Sequence, residues 1–201
     1  NAMGGREVGG LSNMLAAHMD ITNAEHRNGV QAFWKSPRMA QKQGLKAVEL
    51  FDVVKAGHIK ALWIMATNPA VSMPNSTHIA DALAACPFVV VSDVTAKTET
   101  AHYADVLLPA LGWGEKDGSV TNSERRISRQ RHFMYPAGEA KADWRIMCDV
   151  ARQMGFEGFT FQSSAEIFAE HAALTGLMNN GSRLLDLKHL AAQNYDEMQP
   201  Q

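Results

Sequence analysis

Short apolar runs alternate with helical apolar patterns through the middle of the chain. Three runs have the length and composition of buried strands: Ile59–Met65, Phe88–Val91 and Val106–Leu108. Helices are predicted before and between these runs, at Leu45–Ala56 and at Ile79–Ala85 with Ser76 or Thr77 as its cap, and a short helix or turn is predicted at Thr98–Tyr103. Because helices and strands alternate, this order predicts an α/β fold with a Rossmann-like parallel sheet, flanking helices and right-handed crossovers.

The outer segments carry weaker patterns. Gly4–Gly10 holds four glycines in seven residues, and the entropy of ordering them predicts a loop. Thr22–Gln43 is polar and interrupted by Gly29 and Pro37, which predicts irregular structure with at most one short helix. Further helices are predicted at Ser12–Met19, Lys141–Met154, Ser163–Leu174 and Leu184–Ala192, followed by a disordered tail at Asn194–Gln201.

Gly112–Phe133 breaks the alternation of helices and strands. It is rich in glycine and arginine, with Val120 and Ile127 as isolated apolar positions, and this pattern predicts a small irregular or β excursion. The chain is therefore divided into loop and short helices (1–43), a Rossmann-like domain (44–111 and 140–175), the excursion (112–139), and a C-terminal helix with its tail (176–201).

Composition narrows the classes of function. The 201 residues are 46% hydrophobic and 20% charged, as in a globular protein. A net charge of −2 gives no basic field for a nucleic acid, and no apolar run reaches the length of a membrane span. Cys86 and Cys148 lie far apart and the eight histidines are scattered, so no metal site is predicted. Buried free thiols at both cysteines would suit a reducing cytoplasm.

Small polar residues follow the first two predicted strands. Thr67 and Asn68 end the first run, and Ser92 and Asp93 end the second. The carboxyl ends of parallel strands converge on one crevice, where nucleotide-like ligands bind. Each residue also has a structural interpretation, because Asn-Pro initiates turns and an aspartate can cap the following segment.

An arginine-dense cluster lies within the excursion and consists of Arg125, Arg126, Arg129 and Arg131. Such donors suit a buried phosphate or pterin oxygen, although a solvated charged face is the commoner outcome for a charge run. No GxGxxG motif, P-loop or nucleophile elbow accompanies the predicted strands.

Four motifs together resemble the molybdopterin oxidoreductase family: TNPAVS, VVVSDVTAKTETAHYADVLLPA, GWGEKDGSVTNSERR and KADWRIMCDVARQMGF. GGREVGG followed by LSNMLAAHMD is similar to the nitrate reductase branch, and most similar to its cytoplasmic assimilatory enzymes. The resemblance extends over roughly residues 1–171, with the motifs in the order of the family.

The resemblance implies an internal piece of a larger catalytic subunit that reduces nitrate to nitrite. Its cofactor would be molybdenum held by two molybdopterin guanine dinucleotides (Mo-bis-MGD), with a 4Fe–4S cluster outside these residues. The implied partners are the remaining domains of the subunit, an electron donor and nitrate. The piece alone is expected to be inactive and to bind the cofactor weakly or not at all, because the other domains would supply much of the enclosure.

The resemblance also implies roles for individual residues. The strand-end contacts to the guanine dinucleotide would be Thr67, Asn68 and Ser72 in TNPAVS, and Ser92 and Asp93 in VVVSD. Lys116 in GEKDG would be a basic contact, and Asp143 in KADW an acidic contact to guanine or ribose. Arg6 in GREVGG would lie near the molybdenum and orient nitrate.

Two alternatives remain open. The same family includes formate dehydrogenases and periplasmic nitrate reductases, although GGREVGG disfavours formate as the substrate. A protein of another class, a non-catalytic Rossmann-like module that binds a free nucleotide, would share the strand-end pattern.

Overall fold

The computed structural model describes residues 2–197. Its α-helices are α1 (Ala2–Glu7), α2 (Ala24–Trp34), α3 (Ala47–Lys55), α4 (Pro69–Ser72), α5 (Ser76–Ala85), α6 (Asp143–Gln153) and α7 (Ser164–Thr175). Its strands are β1 (Leu62–Met65), β2 (Val89–Asp93), β3 (Val106–Pro109), β4 (Gly118–Thr121) and β5 (Ile127–Gln130). Single turns of 3-10 helix lie at Ala16–His18, Thr100–Tyr103, Trp113–Glu115, Lys188–Leu190 and Tyr195–Glu197.

The chain forms two compact units. The sheet unit consists of Leu45–Lys116 and His132–Phe156. The hairpin unit consists of the described parts of Asn1–Gly44, Asp117–Arg131 and Glu157–Gln201. Helix α7 therefore groups with the hairpin unit, while the assignment of 44–111 and 140–175 to one cofactor-binding domain remains a prediction.

Strands β1, β2 and β3 form a parallel sheet in that order, which confirms the α/β prediction. Trp63 lies opposite Val90, and Val90 lies opposite Val106. The core beneath the sheet is formed by apolar side chains of α3, α5, β1 and β2, among them Phe51, Val54, Ile64, Ile79, Leu83, Val89 and Val91. Helix α5 begins behind Asn75, whose side chain accepts from the His78 amide at 3.3 Å. The prediction of Ser76 or Thr77 as the cap was wrong, because both are helical residues.

The central part of the predicted excursion, residues 117–131, lies in the hairpin unit and forms a two-stranded antiparallel ribbon. Gly118 pairs with Gln130, and Thr121 pairs with Ile127. Helix α7 begins where it was predicted, with the Ser163 side chain accepting from the Glu166 amide at 3.3 Å. Ile127, Phe168, Ala172 and Leu190 share one apolar cluster, so the ribbon and α7 pack on a common core.

The prediction of a loop at Gly4–Gly10 was wrong for Gly4 and Gly5, which belong to α1. The short helix allowed within 22–43 forms as α2, which runs for 11 residues through Gly29. Gly29 lies close to the end of the Met178 side chain, so a Cβ there would lie 2.3 Å from its Cε atom and would require that side chain to move. At its start, α2 is capped by the Asn23 side chain, which accepts from the Glu25 and His26 amides. Of the predicted helix Ser12–Met19, only a 3-10 turn at Ala16–His18 forms.

The C-terminal segment is more ordered than its composition predicted. A 3-10 turn at Lys188–Leu190 replaces the predicted helix. Tyr195 is buried, donates to or accepts from the Ser119 hydroxyl at 2.9 Å, and packs its ring against Phe168. The prediction of a disordered tail was therefore wrong for 194–197, and residues 198–201 lie outside the described part. Among the helices of residues 2–197, none combines the length and apolar character needed to cross a bilayer.

Candidate functional site

The carboxyl edge of the parallel sheet carries polar residues at the ends of two neighbouring strands. Met65 and Ser92 are register partners, and Asp93 lies opposite Pro109. After β1, Ala66 adopts a left-handed conformation with φ of 53°, which turns the chain from the strand toward Asn68 and α4. The ends of β1 and β2 are thus held side by side by the sheet itself, as the sequence predicts.

Asn68 is bonded on both sides of its amide group. Its Oδ1 accepts from the Thr100 hydroxyl at 2.7 Å and from the Thr100 backbone N–H at 3.2 Å. Its Nδ2 donates to Glu99 Oε2 at 2.7 Å. This hydrogen bond holds the pKa of the Glu99 carboxyl below its usual value. One amide hydrogen of Asn68 is left for a ligand, and the rest of the side chain ties the β1 end to the Thr100–Tyr103 turn.

Ser92 and Asp93 are adjacent in sequence but differ in environment. Ser92 is 0% exposed, and its Oγ accepts from the Trp63 indole N–H at 2.8 Å. Asp93 is half-buried, and its Oδ1 accepts from the Val94 backbone N–H at 2.7 Å. The second Asp93 oxygen makes no hydrogen bond within the described chain. Asp93 therefore keeps an acceptor for a ligand, whereas the Ser92 side chain is used within the fold.

A cleft of about 220 Å³ lies at the ends of β2 and β3. It is lined by Asp93, Val94, Thr95 and Ala96, which end and follow β2, and by Leu107, Leu108 and Pro109 of β3. A carboxylate and a polar backbone turn thus face an apolar surface, a combination that suits a planar base with polar edges.

Lys116 and Asp143 are brought together although 27 positions separate them in sequence. Lys116 Nζ lies 2.9 Å from Asp143 Oδ2, and about a quarter of each side chain is exposed. Asp143 Oδ1 is buried and has no partner among the described residues. A buried acceptor without a donor is rare in folded proteins, so this oxygen fits a ligand that brings an N–H or O–H group.

The three other residues predicted to belong to the cofactor or substrate site are exposed. Thr67 and Ser72 lie on the surface of the sheet unit, before and within α4. Arg6 is exposed in the last turn of α1, in the hairpin unit, while its neighbour Glu7 is buried.

Arg129, in the arginine-dense cluster, is committed to the fold of the hairpin unit. Its side chain is only 6% exposed, and its guanidinium lies 3.4 Å from Asp117 Oδ1 and 3.1 Å from Asp196 Oδ1. The same group stacks on the Tyr195 ring, 3.9 Å from the centroid. At Arg129 the prediction of a solvated charged face was wrong, because this side chain is buried and ion-paired within the hairpin unit.

No group of three or more His, Cys, Asp or Glu side chains within residues 2–197 could hold a metal ion. Cys86 and Cys148 are buried free thiols, and burial raises the pKa of the Cys148 thiol.

Sequence reasoning missed Glu99 and Trp63 as parts of the site. The Glu99 carboxylate accepts a hydrogen bond that orients the Asn68 amide, and the Trp63 indole N–H donates to the Ser92 hydroxyl. The usable signal for Glu99 was its position as a carboxylate between two threonines, close after the second strand. Trp63 gave no signal beyond that of an aromatic residue in a buried strand.

Comparison with known proteins gives the same family as the motifs. The family model for the molybdopterin oxidoreductases matches residues 2–153. The chain belongs to the molybdopterin oxidoreductase family. A nitrate reductase of Klebsiella oxytoca is 53% identical over 100% of this chain and 23% of its own length. The α subunit of an F420-dependent formate dehydrogenase of Methanocaldococcus jannaschii is 36% identical over 87% of this chain and 25% of its own.

Among solved structures, acetylene hydratase from Pelobacter acetylenicus aligns with 74% of this chain and 22% of its own, with a TM-score of 0.56 and 23% identity. That likeness shows a shared fold. The chain spans 22–28% of the length of the first curated nitrate reductases it matches, or about a quarter.

Proposed function

We propose that the sheet unit binds a guanine dinucleotide of Mo-bis-MGD in a molybdenum nitrate reductase. The observation that carries this proposal is the cleft at the β2 and β3 ends, where Asp93 keeps a carboxylate oxygen open beside the apolar Leu107–Pro109 wall. The family match supplies the class of cofactor, and the 53% identity to a nitrate reductase supports nitrate as the substrate.

The residues present fit the chemistry of such a nucleotide. Asp93 would accept hydrogen bonds from the N–H groups of guanine or from ribose hydroxyls. Asp143 Oδ1, buried without a donor, would accept another, and Lys116 Nζ would stay close enough to balance negative charge on the ligand. Thr67, Ser72 and the remaining Asn68 hydrogen would contact the ligand from the β1 end, and Ser92 would act by fixing Trp63.

When bound, the molybdenum centre supplies the two-electron transfer of an oxygen atom that converts nitrate to nitrite. The contribution of the chain is to bind and orient. Arg6 would orient nitrate, because a fixed guanidinium offers two parallel donors to a planar oxyanion. The remaining domains of the subunit, an electron donor, a 4Fe–4S cluster outside these residues, a cytoplasmic location and a role in nitrate assimilation complete the proposal.

The similarity to formate dehydrogenase supports a second candidate, in which the same sheet unit serves an enzyme with another substrate. The product of the complete open reading frame that encodes residues 1–201, loaded with cofactor, separates the two. Nitrate reduction without formate oxidation supports the first candidate, and the reverse supports the second. If the protein shows neither nitrate reduction nor formate oxidation, the remaining candidate is a module that binds a nucleotide without catalysis.

Titration of GDP into the 201-residue chain, followed by NMR, tests the binding site directly. We expect saturable shifts confined to the Val94, Thr95 and Ala96 amides and to the Asp143 region, with weak affinity because the cleft is open. Absence of shifts at saturating ligand concentration, or shifts spread over α3 and α5, would contradict the proposed location.

A further inference from the structure

The glycine-rich α1 turn is anchored in the hairpin unit by a buried carboxylate. Glu7 is 5% exposed, and its Oε2 accepts from the Thr121 hydroxyl at 2.6 Å, with Thr121 itself 7% exposed. A carboxylate is costly to bury unless hydrogen bonds compensate it. The Glu7–Thr121 bond therefore fixes the end of α1 against strand β4 and leaves little freedom at this point.

The two glycines after Glu7 let the backbone pass close to neighbouring backbone atoms. Gly9 has φ of +77°, and a Cβ there would lie 2.5 Å from the Ala16 backbone nitrogen. Gly10 donates its N–H to the Gly5 carbonyl at 2.7 Å, and a Cβ on Gly10 would lie 2.9 Å from that oxygen. The backbone therefore packs against α1 and the Ala16–His18 turn so closely that positions 9 and 10 have no room for a side chain.

Strand β4, on which Glu7 rests, is held from its other end. Ser119 is hydrogen-bonded to Tyr195, and Arg129 lies over the Tyr195 ring while pairing with Asp117 and Asp196. The Arg129 side chain is 6% exposed, so it packs inside the unit while its ion pairs reach Asp117 and the exposed Asp196. These contacts hold in place the ribbon against which α1 packs.

We propose that Glu7 and Thr121 are positioning residues for Arg6. Arg6 precedes Glu7 directly, so fixing the Glu7 side chain in the ribbon fixes the backbone from which the exposed guanidinium extends. A long, flexible side chain orients an oxyanion well only when its base does not move. The role assigned to Arg6 rests on the proposed function, whereas the anchoring of α1 does not.

Hydrogen exchange on the 201-residue chain tests the anchor. Thr121→Val removes the donor at nearly constant volume, and we expect about tenfold faster exchange at the Val8 and Gly10 amides, the scale of one lost hydrogen bond to a charged group. Thr121→Ser restores the hydroxyl and should return exchange toward the parent rate. Glu7→Gln keeps an acceptor oxygen and should exchange more slowly than Thr121→Val.

Thr175→Val is the matched control. Thr175 is a buried threonine of the same unit, and its hydroxyl donates to the Ala172 carbonyl and accepts from the Leu187 amide. Its loss should destabilise the unit without a specific effect at Val8 and Gly10. Equal acceleration of those amides in both valine variants, or none in Thr121→Val, would overturn the anchoring role.

Kinetics on the cofactor-loaded product of the complete open reading frame test the link to Arg6. We expect Thr121→Val to raise the KM for nitrate about tenfold, more than it lowers kcat, and to have no further effect on KM in an Arg6→Ala background. An equal KM increase with and without Arg6 would overturn the link. Absence of nitrate reduction by the parent protein would refute the proposed function instead, and the exchange result would still decide the anchor.

Discussion

The two neighbouring strand ends of the parallel sheet are similar in sequence and different in use. At the β1 end, Asn68 is bonded through both amide atoms to Glu99 and Thr100. At the β2 end, the Asp93 side chain bonds only the next backbone N–H, keeps its second oxygen unbonded, and belongs to a residue that lines a cleft. The first end is a joint within the fold, and the second is open to a ligand. A polar residue at a strand end acquires its role from the partners that reach it rather than from its position alone.

The largest effect is expected from removing the joint. Asn68→Ala deprives Thr100, which is fully buried, of the acceptor for its hydroxyl and its backbone N–H. Leaving such groups unpaired should lower the free energy of unfolding of the sheet unit by about 2–3 kcal/mol. The measurement is denaturant-dependent hydrogen exchange of the β1 and β2 amides.

Thr67→Ala is the control for that loss. Thr67 is adjacent and exposed, so its truncation should change the free energy of unfolding by less than about 0.5 kcal/mol. If both variants unfold alike, Asn68 is not a joint and the contrast between the strand ends disappears.

The opposite result is expected at the second end. Asp93→Asn keeps the shape of the side chain and replaces one carboxylate oxygen with a donor, so folding should be little affected while guanine nucleotide binding weakens about tenfold. NMR titration with GDP measures the change. Asp81→Asn is the control, because Asp81 is an exposed aspartate of the same unit whose carboxylate pairs with Lys55. Equal weakening by both variants would point to net charge rather than to Asp93.

A smaller effect is expected from Ser92. Ser92→Ala removes the acceptor of the Trp63 indole N–H and should lower the free energy of unfolding by about 1 kcal/mol, one ordinary hydrogen bond. Faster hydrogen exchange of the Trp63 indole N–H would show directly that this hydrogen bond is lost. Nucleotide affinity should change less than in Asp93→Asn. A larger loss of affinity in Ser92→Ala would mean that the hydroxyl serves the ligand directly.

The elements of the sheet unit could be predicted because their signals are local. Apolar runs mark β1, β2 and β3, and the periodic residues of 45–56 mark α3. Helix α1 escapes prediction because its glycine content alone predicts a loop, although Gly4 and Gly5 are helical. The order at Tyr195 escapes prediction because its partners Ser119 and Phe168 are remote in sequence.

The site follows the same rule. The topology of a parallel sheet is enough to predict that Asn68 and Asp93 lie at one edge. Topology does not tell which of their atoms are already bonded within the fold. Glu99 and Thr100 lie 31 and 32 positions from Asn68, and Trp63 lies 29 positions from Ser92. The Lys116–Asp143 pair shows the limit again, since two residues expected as separate contacts form one ion pair.

The smallest effect concerns the acid dependence of the joint. The hydrogen bond from Asn68 holds the Glu99 pKa below its usual value, so the folded state binds this proton less readily than the unfolded chain does. The resulting stabilisation is present above the unfolded pKa and is lost as the pH falls through the folded pKa.

Glu99→Gln keeps an acceptor for Asn68 without the titration, so the parent protein should lose stability relative to this variant as the pH falls from about 6 to 3. Glu139→Gln, at an exposed glutamate of the same unit, corrects for net charge. A difference between the parent and Glu99→Gln that stays constant over this range would mean that Glu99 adds no acid-sensitive stability, leaving Thr100 as the main partner of Asn68.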